Sequence, residues 1–177
     1  PQEACEAFTR VLQGMIAMSR ARWPLGLAGR DLDVLARMPL WMAGQDYGHG
    51  TGHGVGAYLS VHEGPARLSR TGTEPLLAGM ILSNEPGFYR EGAYGIRIEN
   101  LLAVKEAAPL PGGTVKDMLD WETLTFVPID TRLVVAEMMT EAERQWLNAY
   151  HATCRETLSG KLGKPAAMWL DVATAAI

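Results

Sequence analysis

Between Gly48 and Gly56 glycine occupies every second position, and the residues between are His49, Thr51, His53 and Val55. No α-helix is expected from such a run, because each glycine costs a helix interior about 1 kcal/mol relative to alanine. The four-residue spacing of His49 and His53 must therefore be read in extended chain. There the period of two puts the glycines on one side of the backbone and His49, Thr51, His53 and Val55 on the other. A side without Cβ atoms admits close approach of another segment or of a substrate. Along such a strand the two histidines lie about 13 Å apart, so they do not share one ion; one is read as a ligand and the other as a substrate contact. His62 follows in Val61-His62-Glu63-Gly64-Pro65. The competing reading is a glycine-rich turn with structural histidines, but three histidines set in a strict glycine alternation favour function. A phosphate cradle is excluded: no register gives Gly-x-Gly-x-x-Gly, and no Gly-Lys-Ser/Thr follows.

Two acidic segments come next. Ser83-Asn84-Glu85-Pro86-Gly87 ends an apolar run with an acid and a Pro-Gly turn, placing Glu85 at a strand end. In Gly95-Ile96-Arg97-Ile98-Glu99-Asn100 the period of two sends Ile96 and Ile98 to one face and Arg97 and Glu99 to the other. Charges inside a sheet are expensive unless paired or coordinating a metal. A plain Arg97–Glu99 surface pair on a half-exposed strand remains the alternative. One histidine and two glutamates suit Mn²⁺, Co²⁺ or Zn²⁺ better than a thiol-seeking ion, yet three ligands are few for a two-metal centre.

Around this segment the pattern is helical. Ala4, Phe8, Val11, Leu12, Met15, Ile16 and Met18 predict a helix from Glu3 to about Arg22, stopped by Trp23-Pro24. A second is expected from Arg30 to Arg37, with Pro39 limiting it. Short apolar runs at 57–61, 80–83, 96–98 and 124–128 read as strands. Thr140-x-x-Glu143 has the form of a capping box and opens a helix of about 18 residues; a last short helix is expected over 166–174. With 47% hydrophobic and 20% charged residues and a net charge of −4, the chain reads as globular, without the basic surface of a nucleic-acid or anionic-membrane binder. Two cysteines make neither a disulfide framework nor a thiolate metal site, which fits a reduced, cytoplasmic setting. No apolar run is long enough to cross a membrane.

Taken in order, His49-Gly-Thr-Gly-His53-Gly-Val-Gly, Val61-His62-Glu-Gly-Pro65, Ser83-Asn-Glu85-Pro-Gly87 and Gly95-Ile-Arg97-Ile-Glu99-Asn100 resemble the successive motifs of the pita-bread metallopeptidases, specifically the Xaa-Pro aminopeptidase (aminopeptidase P) group. Trp121 to Arg132 and Trp146 to His151 resemble the C-terminal extension of its three-domain members. The resemblance implies an α+β fold, the C-terminal part of a pita-bread domain with a curved antiparallel sheet and helices outside. It divides the chain into residues 1–115, part of the catalytic domain, and 116–177, the extension. It implies His53, Glu85 and Glu99 as metal ligands, Glu85 also as general base, His62 as stabiliser of the tetrahedral intermediate, His49 as a substrate contact and Arg97 as an ordering residue. The activity implied is removal of the N-terminal residue from peptides with proline in second position, by a hydroxide held between two divalent ions, manganese first with cobalt or zinc as alternatives. A cytoplasmic homodimer is implied as well. The group's two aspartate ligands have no counterpart here, since Asp31, Asp33 and Asp46 fit neither position. Two divalent ions bring +4 against −2 from Glu85 and Glu99, so the 177-residue chain alone is expected to be inactive. The competing functions are a non-catalytic pita-bread peptide-binding module and a prolidase-type dipeptidase.

Overall fold

The computed structural model describes residues 1–58 and 60–177. Helix α1 (Gln2–Ser19) ends three residues before the expected position, because Trp23-Pro24 is a short strand, β1, rather than a mere stop. Trp23 is buried against Trp121, ring centroids 4.6 Å apart, and that contact draws the chain out of the helix. Helix α2 (Gly29–Trp41) runs four residues past Arg37 and contains Pro39. Pro39 removes one helical hydrogen bond, but continuing the helix buries Leu40 among Ala7, Val11 and Leu12 of α1.

Six further strands follow: β2 (Gly52–His53), β3 (Arg67–Leu68), β4 (Ile81–Asn84), β5 (Gly87–Arg90), β6 (Tyr94–Arg97) and β7 (Asn100–Glu106), with β8 (Met118–Thr123) beyond a loop. They form an antiparallel sheet in the order β1-β8-β7-β4 and two antiparallel ribbons, β2-β3 and β5-β6. A bridge between Gly54 and Leu82 continues the sheet into the β2-β3 ribbon, giving a curled half-barrel. The strand expected at 57–61 is not there among the described residues: Ala57 and Tyr58 form a bend, Ser60 and Val61 are irregular, and Leu59 lies outside the described residues. The Gly56 amide bonds instead to the Ser60 carbonyl.

The strand expected at 124–128 is also absent. Pairing with β7 ends when the Leu124 amide donates to the Leu101 carbonyl. Beyond it, the segment's backbone is taken up by helix α3 (Glu141–Leu158): the Tyr150 hydroxyl serves the Val127 carbonyl at 2.8 Å, and His151 Nε2 accepts from the Ile129 amide at 3.1 Å. The Thr140–Glu143 capping box opens α3 as expected, and α4 (Lys164–Ala173) closes the chain. One core lies between α1, the β5-β6 ribbon and α3, the other between α2 and the four-stranded sheet.

His151 makes this docking pH-sensitive. Burial, with Arg155 nearby, holds its imidazole below the ordinary value of 6.5, so protonation favours the unfolded chain. The contribution of His151 is therefore constant above pH 6.5, and stability is lost through it as the pH drops from there toward the depressed folded-state value. Thermal unfolding followed from pH 8 to 5 should show that decline. It should be flattened in His151→Gln, whose side-chain oxygen still accepts from Ile129; an equal decline in the variant would remove His151 as its source.

Candidate active site

The sheet's curl brings five of the expected side chains into one cleft of about 320 Å³: His49, His53, His62, Glu85 and Arg97, with Arg67, Ser69 and Thr71 on a further wall. The glycine alternation explains how the backbone reaches it. A Cβ on Gly52 would stand 1.8 Å from the Ser83 carbonyl oxygen, and one on Gly54 would stand 2.1 Å from that of Glu63. Both glycines are needed for close backbone approach. Only residues 52–53 of the run form a strand, so the two-fold alternation holds at its middle and not over its whole length.

Glu85 follows β4 and is 8% exposed. Its amide donates to the Thr51 carbonyl at 2.7 Å, and the Ser83 hydroxyl donates to its Oε1 at 2.8 Å. Arg97 Nη1 lies 3.4 Å from Oε2. Arg97 thus pairs with Glu85 and not with Glu99, contrary to the simple strand-face alternative. His53 Nδ1 faces the Gly54 carbonyl at 2.8 Å, which requires a proton on Nδ1, while Nε2 lies 3.1 Å from Glu85 Oε1. A neutral imidazole then aims its lone pair at a carboxylate oxygen. Two electron-pair donors converge, an arrangement relieved by a proton or a cation between them. Glu99 lies beyond His53, in a neighbouring hollow with Val55, Val61 and Leu101. Burial and then the charge of Glu85 raise its pKa above the usual carboxylate value. Unrelieved repulsion between two carboxylates is what a cation between them would remove.

The imidazole of His62 sits on that of His53, centroids 4.0 Å apart. On the other flank, Arg97 Nε donates to the Tyr89 hydroxyl at 2.9 Å, and the hydroxyl lies 2.9 Å from His49 Nε2. His49 Nδ1 faces the Gly50 carbonyl at 2.7 Å, so Nε2 accepts from Tyr89. Tyr89 was missed in the sequence, although period two from Gly87, the strand partner of Arg97, puts it on the same face of the β5-β6 ribbon.

A second missed feature lies beneath the histidines. Arg37 is 3% exposed and donates from Nε to Asp33 Oδ2 at 2.6 Å, from Nη1 to Asp46 Oδ1 at 2.8 Å and the Tyr47 carbonyl at 2.9 Å, and from Nη2 to the His49 carbonyl at 2.7 Å. The other oxygen of Asp33 accepts from the Thr51 hydroxyl at 2.6 Å. Burial works to raise the Asp46 pKa, but hydrogen bonds from Trp41, the Tyr47 amide and Arg37 outweigh it and lower it to about 2. Asp33 and Asp46 thus brace the histidine segment from below.

As a metal site the donors of this chain fit in part. Nitrogen and carboxylate oxygen donors of this kind suit manganese, cobalt or zinc, and His53 already turns Nε2 toward Glu85. Yet among the described residues no three His, Cys, Asp or Glu side chains come close enough to hold an ion together.

A curled antiparallel sheet with flanking helices is the pita-bread architecture. Residues 1–106 match the model of metallopeptidase family M24, and residues 117–177 match that of the C-terminal region of peptidase M24; the chain belongs to family M24. It is 51% identical over 168 residues to aminopeptidase P2 of Arabidopsis thaliana, covering 93% of this chain and 24% of that protein. It is 45% identical to aminopeptidase P1 of Lotus japonicus, covering 98% and 26%. The crystal structure of X-prolyl aminopeptidase from Caenorhabditis elegans, described as a cytosolic enzyme with a di-nuclear active site, superposes with a TM-score of 0.91 at 42% identity, over 100% of this chain and 29% of that one. The Xaa-Pro dipeptidase of Bacillus anthracis superposes at 0.55 with 31% identity, over 71% of this chain and 31% of that one. The chain therefore spans about a quarter of the length of the curated relatives it matches.

Proposed function

We propose that the protein bearing this chain is a metallo-aminopeptidase that removes the N-terminal residue from peptides with proline in second position. The observation that carries this is the facing of His53 Nε2 and Glu85 Oε1 at 3.1 Å, with the Glu99 carboxylate beyond them. His53, Glu85 and Glu99 would hold one side of a site for two divalent ions, manganese before cobalt or zinc. When bound, such ions polarise the scissile carbonyl and lower the pKa of water. Charge balance calls for further acidic ligands from elsewhere in the protein, so the 177-residue chain alone is inactive. Residues 1–115 are the catalytic part and 116–177 an extension through which the protein forms a cytoplasmic homodimer.

The chain's own residues divide the remaining work. Ser83 and Arg97 fix the Glu85 carboxylate, which takes the proton from the attacking water and passes it to the proline nitrogen as the bond breaks. His62, packed against His53 and open to the cleft, donates to the oxygen that gains charge when the carbonyl becomes tetrahedral. The Arg97–Tyr89–His49 chain leaves the His49 imidazole fixed against the substrate near the scissile bond. Similarity to proteins named aminopeptidases over 93–100% of the chain favours an aminopeptidase over a dipeptidase.

The test is hydrolysis by the full-length protein, with elemental analysis of its metal. Release of the first residue from Ala-Pro-Leu but not from Ala-Ala-Leu, with about two divalent ions per subunit, is the expected result. Cleavage restricted to Xaa-Pro dipeptides would make it a prolidase, and a metal-free protein that binds without cutting would make it a peptide-binding module.

A further inference from the structure

We propose that helix α3 of the C-terminal extension positions the Glu99 carboxylate, with Tyr150 acting through Asn100, so that the extension helps to set the geometry of the site. The inference rests on the peptidase reading above and adds positioning residues to it. Asn84 and Asn100 are directly opposed at the end of the β4-β7 pair, and directly opposed residues project from one face. Each adjoins an acid in the chain. The acids stand on the other face, Glu85 in the cleft and Glu99 in the hollow beside it. Fixing the two asparagines therefore fixes where the two carboxylates leave the sheet.

Both amides are enclosed, Asn84 fully and Asn100 at 2% exposure, and each is held by a different helix. Asn84 Nδ2 donates to the Met15 carbonyl and to the Ser19 hydroxyl of α1, both at 3.0 Å. Among the described residues, the side chain of Asn100 has the Tyr150 hydroxyl as its partner, 3.3 Å from Oδ1. The same hydroxyl meets the Val127 carbonyl at 2.8 Å and the Thr125 carbonyl at 3.3 Å. The Thr125 hydroxyl in turn accepts from the Leu101 amide at 2.8 Å. Tyr150 thus grips the start of β7, directly after Glu99, by way of Asn100 and by way of Thr125. Burial and then the nearby Cys154 push its phenol above the ordinary value of 10, so the proton shared among these oxygens stays in place. Stability alone does not account for the asparagines. Asn84 Oδ1 and Asn100 Nδ2 are buried without a partner among the described residues, a cost that an apolar pair would avoid. What the amides add is direction, because a buried hydrogen bond selects one orientation where apolar packing accepts several.

Mn²⁺ titrated into the metal-free full-length protein reads the placement of Glu99 without turnover. Tyr150→Phe, which removes the hydroxyl alone, should bind Mn²⁺ about tenfold more weakly, at the lower end of the loss seen when a group that orients a metal ligand is removed. Asn100→Ala should show a similar loss, and the double variant no more than either single change, because the two residues act along one path. Thr140→Ala controls for a purely structural role. It removes the cap of α3 without touching Asn100, so it should lower the unfolding midpoint and leave the Mn²⁺ affinity within about twofold. An affinity of Tyr150→Phe within about twofold of the wild type overturns the proposal, as do additive losses in the double variant or an equal loss in Thr140→Ala. Should Tyr150→Phe not fold, Asn100→Ala decides by the same criterion. A wild type that binds Mn²⁺ but does not cut Ala-Pro-Leu would count against the peptidase reading alone, because the affinities that test Tyr150 are measured without substrate.

Discussion

Glu85→Gln in the full-length protein should lower kcat/KM toward Ala-Pro-Leu by about a thousandfold, within the range lost when a positioned general base is removed. Glutamine has nearly the shape of glutamate, and the residue is almost wholly enclosed, so a collapsed site is not the expected cause. Its oxygen, in the Oε1 position, can still accept from Ser83. The fold should therefore survive, with the unfolding midpoint nearly unchanged, while the proton acceptor and one ionic ligand are lost together. Metal content measured on the same sample should fall as well. Glu91→Gln, an exposed change in the turn between β5 and β6, is the matched control and should leave kcat/KM within twofold or so. Activity of Glu85→Gln within tenfold of the wild type would remove Glu85 from both roles.

The parts of the site that could be read in advance are those where one local period decides the matter. Ile96 and Ile98 are buried while Arg97 and Glu99 are exposed, because alternation along an extended strand follows from backbone geometry alone. The glycine run was legible for a related reason, since Gly52 and Gly54 sit where another backbone passes. Tyr89 obeyed the same rule and was available to it. What was not legible depends on partners far along the chain. Residues 124–128 carry a strand-like apolar pattern, yet Tyr150, more than twenty positions later, takes the carbonyls of Thr125 and Val127. Pro39 reads as a helix stop until the burial of Leu40 against α1 is known. Asp33 and Arg37 have the i, i+4 spacing of any solvated helix pair, and nothing local shows that both are buried or that Asp46 and two carbonyls share the same guanidinium.

Arg37 carries the other large expected effect. Arg37→Met keeps much of the side-chain volume but leaves Asp33, 2% exposed, as a buried carboxylate with only Thr51 to bond it. It also strips the Tyr47 and His49 carbonyls of their donor. Removing one partner of a buried ion pair typically costs about 3–5 kcal/mol, and urea unfolding of the full-length protein should show a loss of that size in its catalytic domain. Arg37→Lys should recover little of it, because an ammonium cannot reproduce four bonds spread over a planar fork. The double variant Asp33→Asn/Arg37→Met should be more stable than the sum of the single losses predicts, since it no longer buries an unpaired charge. The consequence for function follows from the same bonds. The His49 backbone is held by Arg37 Nη2, so a folded Arg37→Met protein should also have a loosened His49 and a lower kcat/KM at temperatures below its transition. A stability loss under about 1 kcal/mol would mean that Asp33 finds another partner or water, and the bracing of the histidine segment would then have to lie elsewhere.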